Sequence, residues 1–392
     1  MNVLMKFISD EPIENVITCM NYKLDRVVIF GQFSQIERQR KNLESFLKEK
    51  CNVTSVAFRV LANYDFDSIE NEIRKGIDFE MEKGGKCFFD ITGGEALMVT
   101  AFSMIAKEYY APIHIYNVRA KKLVEVNEGA VREISSDLEP QKIRYNLDMM
   151  VRLYGGAINY YFRKDINDDP LKGDNKVELE TMWKVSKRCG ENWNSMCEIF
   201  RNCLEPDEDL NVKYSTDDIC RGMKRIGGRI RTLEQLNEYM DYFAEYGIIL
   251  DLKTTEESIS FRYKNRNLKE YLWMGGSALE LHVYKKERQV SEDCKVGVHL
   301  DWDGELHYTI GVDVLNEIDV LSLNGYIPKF ISCKSGILNS KTALRALYEL
   351  DVVAGRFGGK YAKKVLVTTE EIGPIYQDRA AEMGIELVVE KE

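Results

Sequence analysis

Two hydrophobic periods alternate over the first 135 residues, and this narrows the fold more than any other feature of the chain. Short apolar runs lie at residues 3–8, 27–30, 53–60, 87–91 and 113–116. Helix-length stretches separate them at 12–20, 34–48, 67–83 and 95–109. Consecutive parallel strands need a crossover of a dozen or more residues, so this spacing predicts a parallel sheet with helices on both faces. A hairpin, 122–126 with 131–134, closes the unit around Asn127-Glu128-Gly129.

The rest of the chain reads differently. Residues 136–175 form a connector, with an aromatic-rich helical piece at 145–161 and a polar stretch at 165–175 holding Pro170 and Gly173. Helices are expected at 178–204, 217–227 and 233–246. Two strand-like runs follow, 248–252 and 258–263, around Thr254-Thr255-Glu256-Glu257. Helices followed by a two-stranded ribbon are the pattern of a winged helix-turn-helix, so 176–266 is expected to be a winged-helix-like domain. The last unit, 267–392, carries a helix with Glu280, strands at 307–314, 317–323 and 330–333, a helix at 341–353, and strands at 364–368 and 385–389. A length of 392 residues fits such a division.

Composition removes several function classes. There are 54 basic and 64 acidic residues, a net charge of −10, which argues against binding nucleic acid through bulk positive charge. A local basic groove, or carboxylates offset by a metal ion, remains compatible. The nine cysteines include no CxxC pair, and the N-terminus shows no signal-peptide pattern, so a cytoplasmic protein with reduced thiols is expected. No run approaches the roughly 18 apolar residues of a membrane helix, so no membrane partner is expected. The four histidines and the cysteines lack zinc-ligand spacing. Any metal is then expected on carboxylate oxygens, which favours Mg or Mn.

Two segments carry candidate chemistry. In Phe89-Asp90-Ile91-Thr92-Gly93-Gly94-Glu95-Ala96-Leu97-Met98 a strand ends at Asp90, two glycines make a tight turn, and a helix begins. Glycines admit close backbone approach, and the free N–H groups of a helix start attract phosphate. The loop Ser9-Asp10-Glu11-Pro12-Ile13-Glu14-Asn15 falls on the same sheet edge. Spacing alone fits an ordinary strand–helix turn equally well. The nicotinamide fingerprint G-x-G-x-x-G is missing, which leaves a dinucleotide-dependent enzyme as the weakest alternative.

The second segment pairs Asn316-Glu317-Ile318-Asp319 with Phe330-Ile331-Ser332-Cys333-Lys334, about a hairpin later. Side chains alternate along a strand, so Glu317 and Asp319 share a side, as do Ser332 and Lys334. A lysine ending an apolar strand is costly without a partner, and the acidic pair supplies one. Glu280 can converge on the same point. A divalent cation on oxygen ligands plus one lysine suffices for phosphodiester hydrolysis; a plain structural salt bridge is the competing explanation. Cys333 reads as a small core residue, Asp313 as structural, and His282, His299 and His307 as packed or exposed.

Both segments resemble known families. D-I-T-G-G-E-x-x-M with S-D-E-P-I-E-N resembles the CARF domain, the Rossmann-like CRISPR-associated sensor of cyclic oligoadenylate, over residues 1–135. This implies that Thr92, Gly93, Gly94, Glu95 and Met98 line a ring site with Ser9, Asp10 and Asn15. A symmetric ring spanning two such sites implies a homodimer. Where the family commonly has Thr after the paired glycines, this chain has Glu95, whose carboxylate either turns outward or meets a base or ribose.

The order Glu280, Asp319, Lys334 resembles the PD-(D/E)xK restriction-endonuclease-like core. Gly275-Gly276-Ser277-Ala278-Leu279-Glu280, N-E-I-D-V and I-S-C-K-S-G together resemble CRISPR ancillary nucleases of the Card/Can type. The fold class implied is α/β throughout, with a winged-helix-like middle part. The activity implied is a metal-dependent nuclease in type III CRISPR antiviral defence, switched on by cyclic oligoadenylate in its four-membered form. It would cleave single-stranded RNA or DNA, or nick DNA. Glu280, Asp319, Lys334, Glu317 and Ser332 would form the catalytic set, with Mg or Mn on Glu280 and Asp319. Ser332 stands where the motif has an acid, and this departure supports the alternative of a CARF-regulated DNA-binding transcription regulator with a degenerate nuclease domain. The basic residues Arg221, Lys224, Arg225, Arg229, Arg231, Lys341, Arg345, Arg356, Lys360, Lys363 and Lys364 are solvated faces or, beside a nuclease core, phosphate grips.

Overall fold

The computed structural model describes residues 1–127, 130–133, 138–160, 175–273, 277–307 and 315–390. The turn at Glu128-Gly129, the polar connector, Gly275-Gly276, and the strand expected at 307–314 with Asp313 fall wholly or largely outside the described residues.

Seven strands form the N-terminal sheet: β1 (Asn2–Phe7), β2 (Arg26–Gly31), β3 (Ser55–Val60), β4 (Lys86–Asp90), β5 (Ile113–Asn117), β6 (Lys122–Asn127) and β7 (Ala130–Glu133). Their order is β3-β2-β1-β4-β5-β6-β7; the first five are parallel, and β6 and β7 run antiparallel. Between them run α1 (Ile17–Asn21), α2 (Phe33–Cys51), α3 (Phe66–Glu82) and α4 (Ala96–Glu108). The chain winds outward in opposite directions from β1 and β4, so the crevice above their carboxyl ends is a topological switch point, the usual ligand position of a Rossmann-like sheet. One face buries Phe7, Phe30, Phe89 and Phe102, with Phe89 and Phe102 stacked 4.6 Å apart.

A helix α5 (Leu147–Leu153) and a two-residue strand β8 (Ala157–Ile158) follow. The middle unit comprises α6 (Asn175–Cys189), α7 (Trp193–Cys203), β9 (Asn211–Ser215), α8 (Thr216–Ile226), α9 (Leu233–Glu245), β10 (Ile249–Thr254) and β11 (Ser258–Tyr263). The helix expected at 178–204 is broken by a 3-10 turn, Gly190–Asn192, with Gly190 at φ +53°. The Ser215 and Thr232 hydroxyls cap α8 and α9 by accepting from the Asp218 and Gln235 amides. The ribbon gains a third strand, β9, and the sheet order is β10-β11-β9. Helix, strand, two helices and two strands in this order make a winged helix.

The C-terminal unit holds α10 (Arg266–Trp273), α11 (Ser277–Val290), β12 (Asp293–Asp301), β13 (Leu315–Asn324), β14 (Ile327–Lys334), α12 (Ser340–Gly358), β15 (Lys363–Thr368), α13 (Pro374–Glu382) and β16 (Ile385–Val389). Its sheet order is β16-β15-β14-β13-β12-β8. β12, β13 and β14 form an antiparallel meander, whereas β14, β15 and β16 are parallel. This mixed sheet with flanking helices is restriction-endonuclease-like, and β8 brings the connector onto its edge. One apolar core runs from Leu4 and Ile29 of the first unit to Phe330 and Leu347 of the last. The chain is thus mixed α/β, and among the described residues no helix is long and apolar enough to cross a membrane.

Candidate functional site

The N-terminal crevice is built from two loops locked together. Lys6, on the central strand β1, is fully buried; its ammonium donates to Asp90 Oδ2 at 2.8 Å and to the Glu14 carbonyl at 2.6 Å. Burial alone would raise the Asp90 carboxyl, but Lys6 and the hydrogen bonds from Thr92 outweigh it and hold the carboxyl below its ordinary value. Asp90 Oδ1 accepts the Thr92 amide at 2.9 Å, and the Thr92 hydroxyl accepts the Tyr116 amide at 2.9 Å. Gly93 lies against the opposite loop: a Cβ there would stand 2.6 Å from Ser9 Cβ. Gly94 has φ +111°, a conformation that favours glycine.

The structure brings Ser9, Thr92, Gly93 and Gly94 together at the switch point. Asn15 is buried, with its amide spanning the Ser9 main chain and Gln39, so it shapes the loop. Asp10 is exposed and pairs with Arg38. Glu95 turns outward and accepts a hydrogen bond from Tyr64, which pushes that phenol up to about 12. Met98 is buried among Phe7, Phe89 and Phe102, beneath the loop.

The same loop touches the C-terminal unit. Glu14 accepts from the Ser9 hydroxyl at 2.7 Å, the Lys360 ammonium at 2.7 Å and the Tyr361 hydroxyl at 2.5 Å. Glu11 accepts from the Lys360 amide at 2.8 Å and from the Tyr154 hydroxyl. Burial raises the Glu11 carboxyl despite those bonds, with the neighbouring Glu14 adding to the rise.

In the C-terminal unit, β13 and β14 place Asp319 beside the end of β14. One oxygen, Oδ2, accepts from the Cys333 amide at 2.6 Å, the Ser332 hydroxyl at 3.1 Å and the Lys334 ammonium at 3.4 Å. Asp319 Oδ1 takes no part in this set. Lys334 and Glu280 line one cleft of about 400 Å³, whose opposite wall is α7. Glu317 lies farther along the same face of β13, with a carboxylate oxygen 4.0 Å from His299 on β12. Burial, reinforced by Asp319 and Glu280, pushes the Cys333 thiol well above its ordinary value, so it stays a thiol. His282 stacks on Trp183 with ring centres 4.2 Å apart.

Among the described residues no group of three or more His, Cys, Asp or Glu side chains gathers as a metal cluster. The carboxylates that line the cleft are Glu280 and Glu198, and Asp319 adjoins it through its hydrogen bond to Lys334. This suits a hard cation that keeps several waters, as Mg and Mn do. Lys6, Glu11, Glu14 and the α7 side chains were not singled out in the sequence reading. Only Lys6 has a local signal, a charge inside an apolar run.

No protein-family model matches the chain, and no curated protein matches its sequence. Solved structures do match. Protein VC1899 from Vibrio cholerae superimposes with a TM-score of 0.71 at 16% identity, covering 99% of this chain and 94% of that one. Can2 from Sulfobacillus thermosulfidooxidans, solved in complex with cyclic tetra-adenylate, superimposes with a TM-score of 0.61 at 13% identity, covering 98% and 92%. The likeness is one of fold. It extends over all three units in their order along the chain.

Proposed function

We propose that this chain is a metal-dependent nuclease activated by a cyclic oligoadenylate. The observation that carries the reading is the cleft lined by Glu280 and Lys334, with Asp319 hydrogen-bonded to that lysine from the neighbouring strand of the mixed sheet. The fold shared with Can2, a protein solved with cyclic tetra-adenylate, supports a ring ligand at the N-terminal crevice. There the Thr92-Gly93-Gly94 backbone and the Ser9 loop would receive phosphate and ribose groups. Two copies of the chain would enclose the ring as a homodimer.

Asp319 and Glu280 would hold Mg or Mn, which when bound polarises a phosphodiester and lowers the pKa of water. Ser332 and the Cys333 amide fix the Asp319 carboxylate by binding one oxygen, Oδ2, and leave Oδ1 outside that set. A serine at this position therefore orients the acid rather than adding a charge. Lys334, partly exposed and aimed at the cleft, can orient the attacking water and offset charge on the pentacovalent phosphate. The substrate class is single-stranded RNA or DNA, or one strand of a duplex.

The test is cleavage of labelled strands and plasmid with Mg or Mn, with and without cyclic tetra-adenylate. Ring-stimulated cleavage is expected. Lys334→Ala and Asp319→Asn are each expected to lower the rate by about 100-fold or more while ring binding stays intact. Ser332 in place of an acid favours a second reading, a ring-regulated DNA-binding protein. Specific duplex binding, with no cleavage in either metal, would establish that reading instead.

A further inference from the structure

The cleft holding Glu280 and Lys334 is closed on its far side by the winged-helix unit. Asn194, Glu198 and Arg201 of α7 line it. Their spacing of four and three residues puts all three on one helix face. The Asn194 side chain anchors α7 to the segment that follows Lys334: its Oδ1 accepts the Ser335 hydroxyl at 3.1 Å and its Nδ2 donates to the Ser335 carbonyl at 3.4 Å.

Arg201 differs from its neighbours. In the same unit Arg188 pairs with Glu245, Arg221 with Asp218 and Arg229 with Glu191. The Arg201 guanidinium has one contact, a 3.4 Å hydrogen bond to the Trp273 carbonyl, and among the described residues it forms no ion pair. Glu198, one turn earlier, does not pair with it. A second groove of about 380 Å³ is lined by Asn202 and Cys203 of α7 and by Asp218, Arg221 and Arg225 of α8. Gly222 sets α8 tightly on α7, since a Cβ there would meet Cys203 Sγ at 2.5 Å.

Resting on the nuclease reading above, we propose that Arg201 is a substrate-positioning residue that grips a phosphate of the strand lying in the cleft. Its planar fork of donors suits a phosphodiester, and it faces the lysine that acts on the scissile bond. Arg225, in the groove beside Asn202, forms no ion pair among the described residues.

The test is binding of a single-stranded oligonucleotide to the full chain with ring bound, across a salt series, in an Asp319→Asn background. Arg201→Ala is expected to weaken binding about tenfold and to lower the slope of log affinity against log salt by about 0.7, the loss of one phosphate contact. Arg201→Lys is expected to restore the slope. Arg379→Ala, outside the cleft, is expected to change neither. In the cleaving chain Arg201→Ala is expected to raise KM more than it lowers kcat. An unchanged affinity and slope in Arg201→Ala would overturn the proposal even where the parent chain cleaves. A parent chain that never cleaves would overturn the nuclease reading, while the binding series still decides whether Arg201 holds a phosphate.

Discussion

Lys6 is the residue on which the N-terminal crevice depends. Its side chain sits on the central strand, fully buried, with one carboxylate partner and one carbonyl. Removing one member of a buried pair leaves the other charge without compensation, typically at about 3–5 kcal/mol. Lys6→Met is therefore expected to cost about that much in denaturant unfolding, and Lys6→Met with Asp90→Leu to recover most of the loss. A double variant no more stable than the single would refute the pairing as the cause. Because the folded Asp90 carboxyl lies below its ordinary 3.8, the stability it contributes is present above that pH and is lost as pH falls through the folded value. Lys334 stands out in the sequence because a charge ending an apolar strand needs a partner. Lys6 meets the same criterion inside Val3-Leu4-Met5-Lys6-Phe7, and its partner lies 84 residues away, beyond the reach of local pattern. Met98 and Asn15 show the converse. The family resemblance implies that they line the ring site, but only packing reveals that both are buried.

Between elements, the decisive contact joins the loop after β1 to the 3-10 turn Gly359–Tyr361 after α12. Glu14 bonds to Ser9 in the first unit and to Lys360 and Tyr361 in the last, so the loop is tied directly to the turn that follows α12. Glu14→Gln is expected to lower cleavage at saturating ring about fivefold or more, the usual scale of a coupling energy. Equal stimulation in variant and parent would remove Glu14 from the route. Glu11 sits beside it with its carboxyl raised by burial. The folded chain thus holds that proton more tightly than the unfolded one, and stability falls as pH rises from 4.5 through the folded value. Glu11→Gln should flatten the unfolding midpoint across this window; an unchanged slope would mean that another group titrates there. The contacts to Tyr154, Lys360 and Tyr361 were not legible in sequence, because each joins segments more than 140 residues apart. Other element-scale features were. The alternation Cys294, Val296, Val298, Leu300 encodes β12, although Lys295, Gly297 and His299 interrupt it enough to hide a strand from a search for apolar runs. Gly190 likewise marks the break between α6 and α7.

At the scale of the whole molecule, the buried core that joins the first and last units limits how the proposed switch can work. Sliding the two units apart within one chain would expose apolar surface, at about 25 cal/mol for each Å². Rearrangement between two chains avoids that cost, and it matches a ring whose symmetry needs two crevices. Near-complete activation requires the ring to favour the active arrangement by roughly 5 kcal/mol, which a ligand gripped from both sides can supply. Calorimetry is therefore expected to give one ring for every two chains, and sedimentation to show a dimer when the ring is bound. Gly93→Ala, which forces a Cβ against Ser9, should abolish the calorimetric signal without unfolding the chain. One ring per chain with a monomeric complex would instead confine activation to a single crevice, and the route through Glu14 would then have to carry the whole switch.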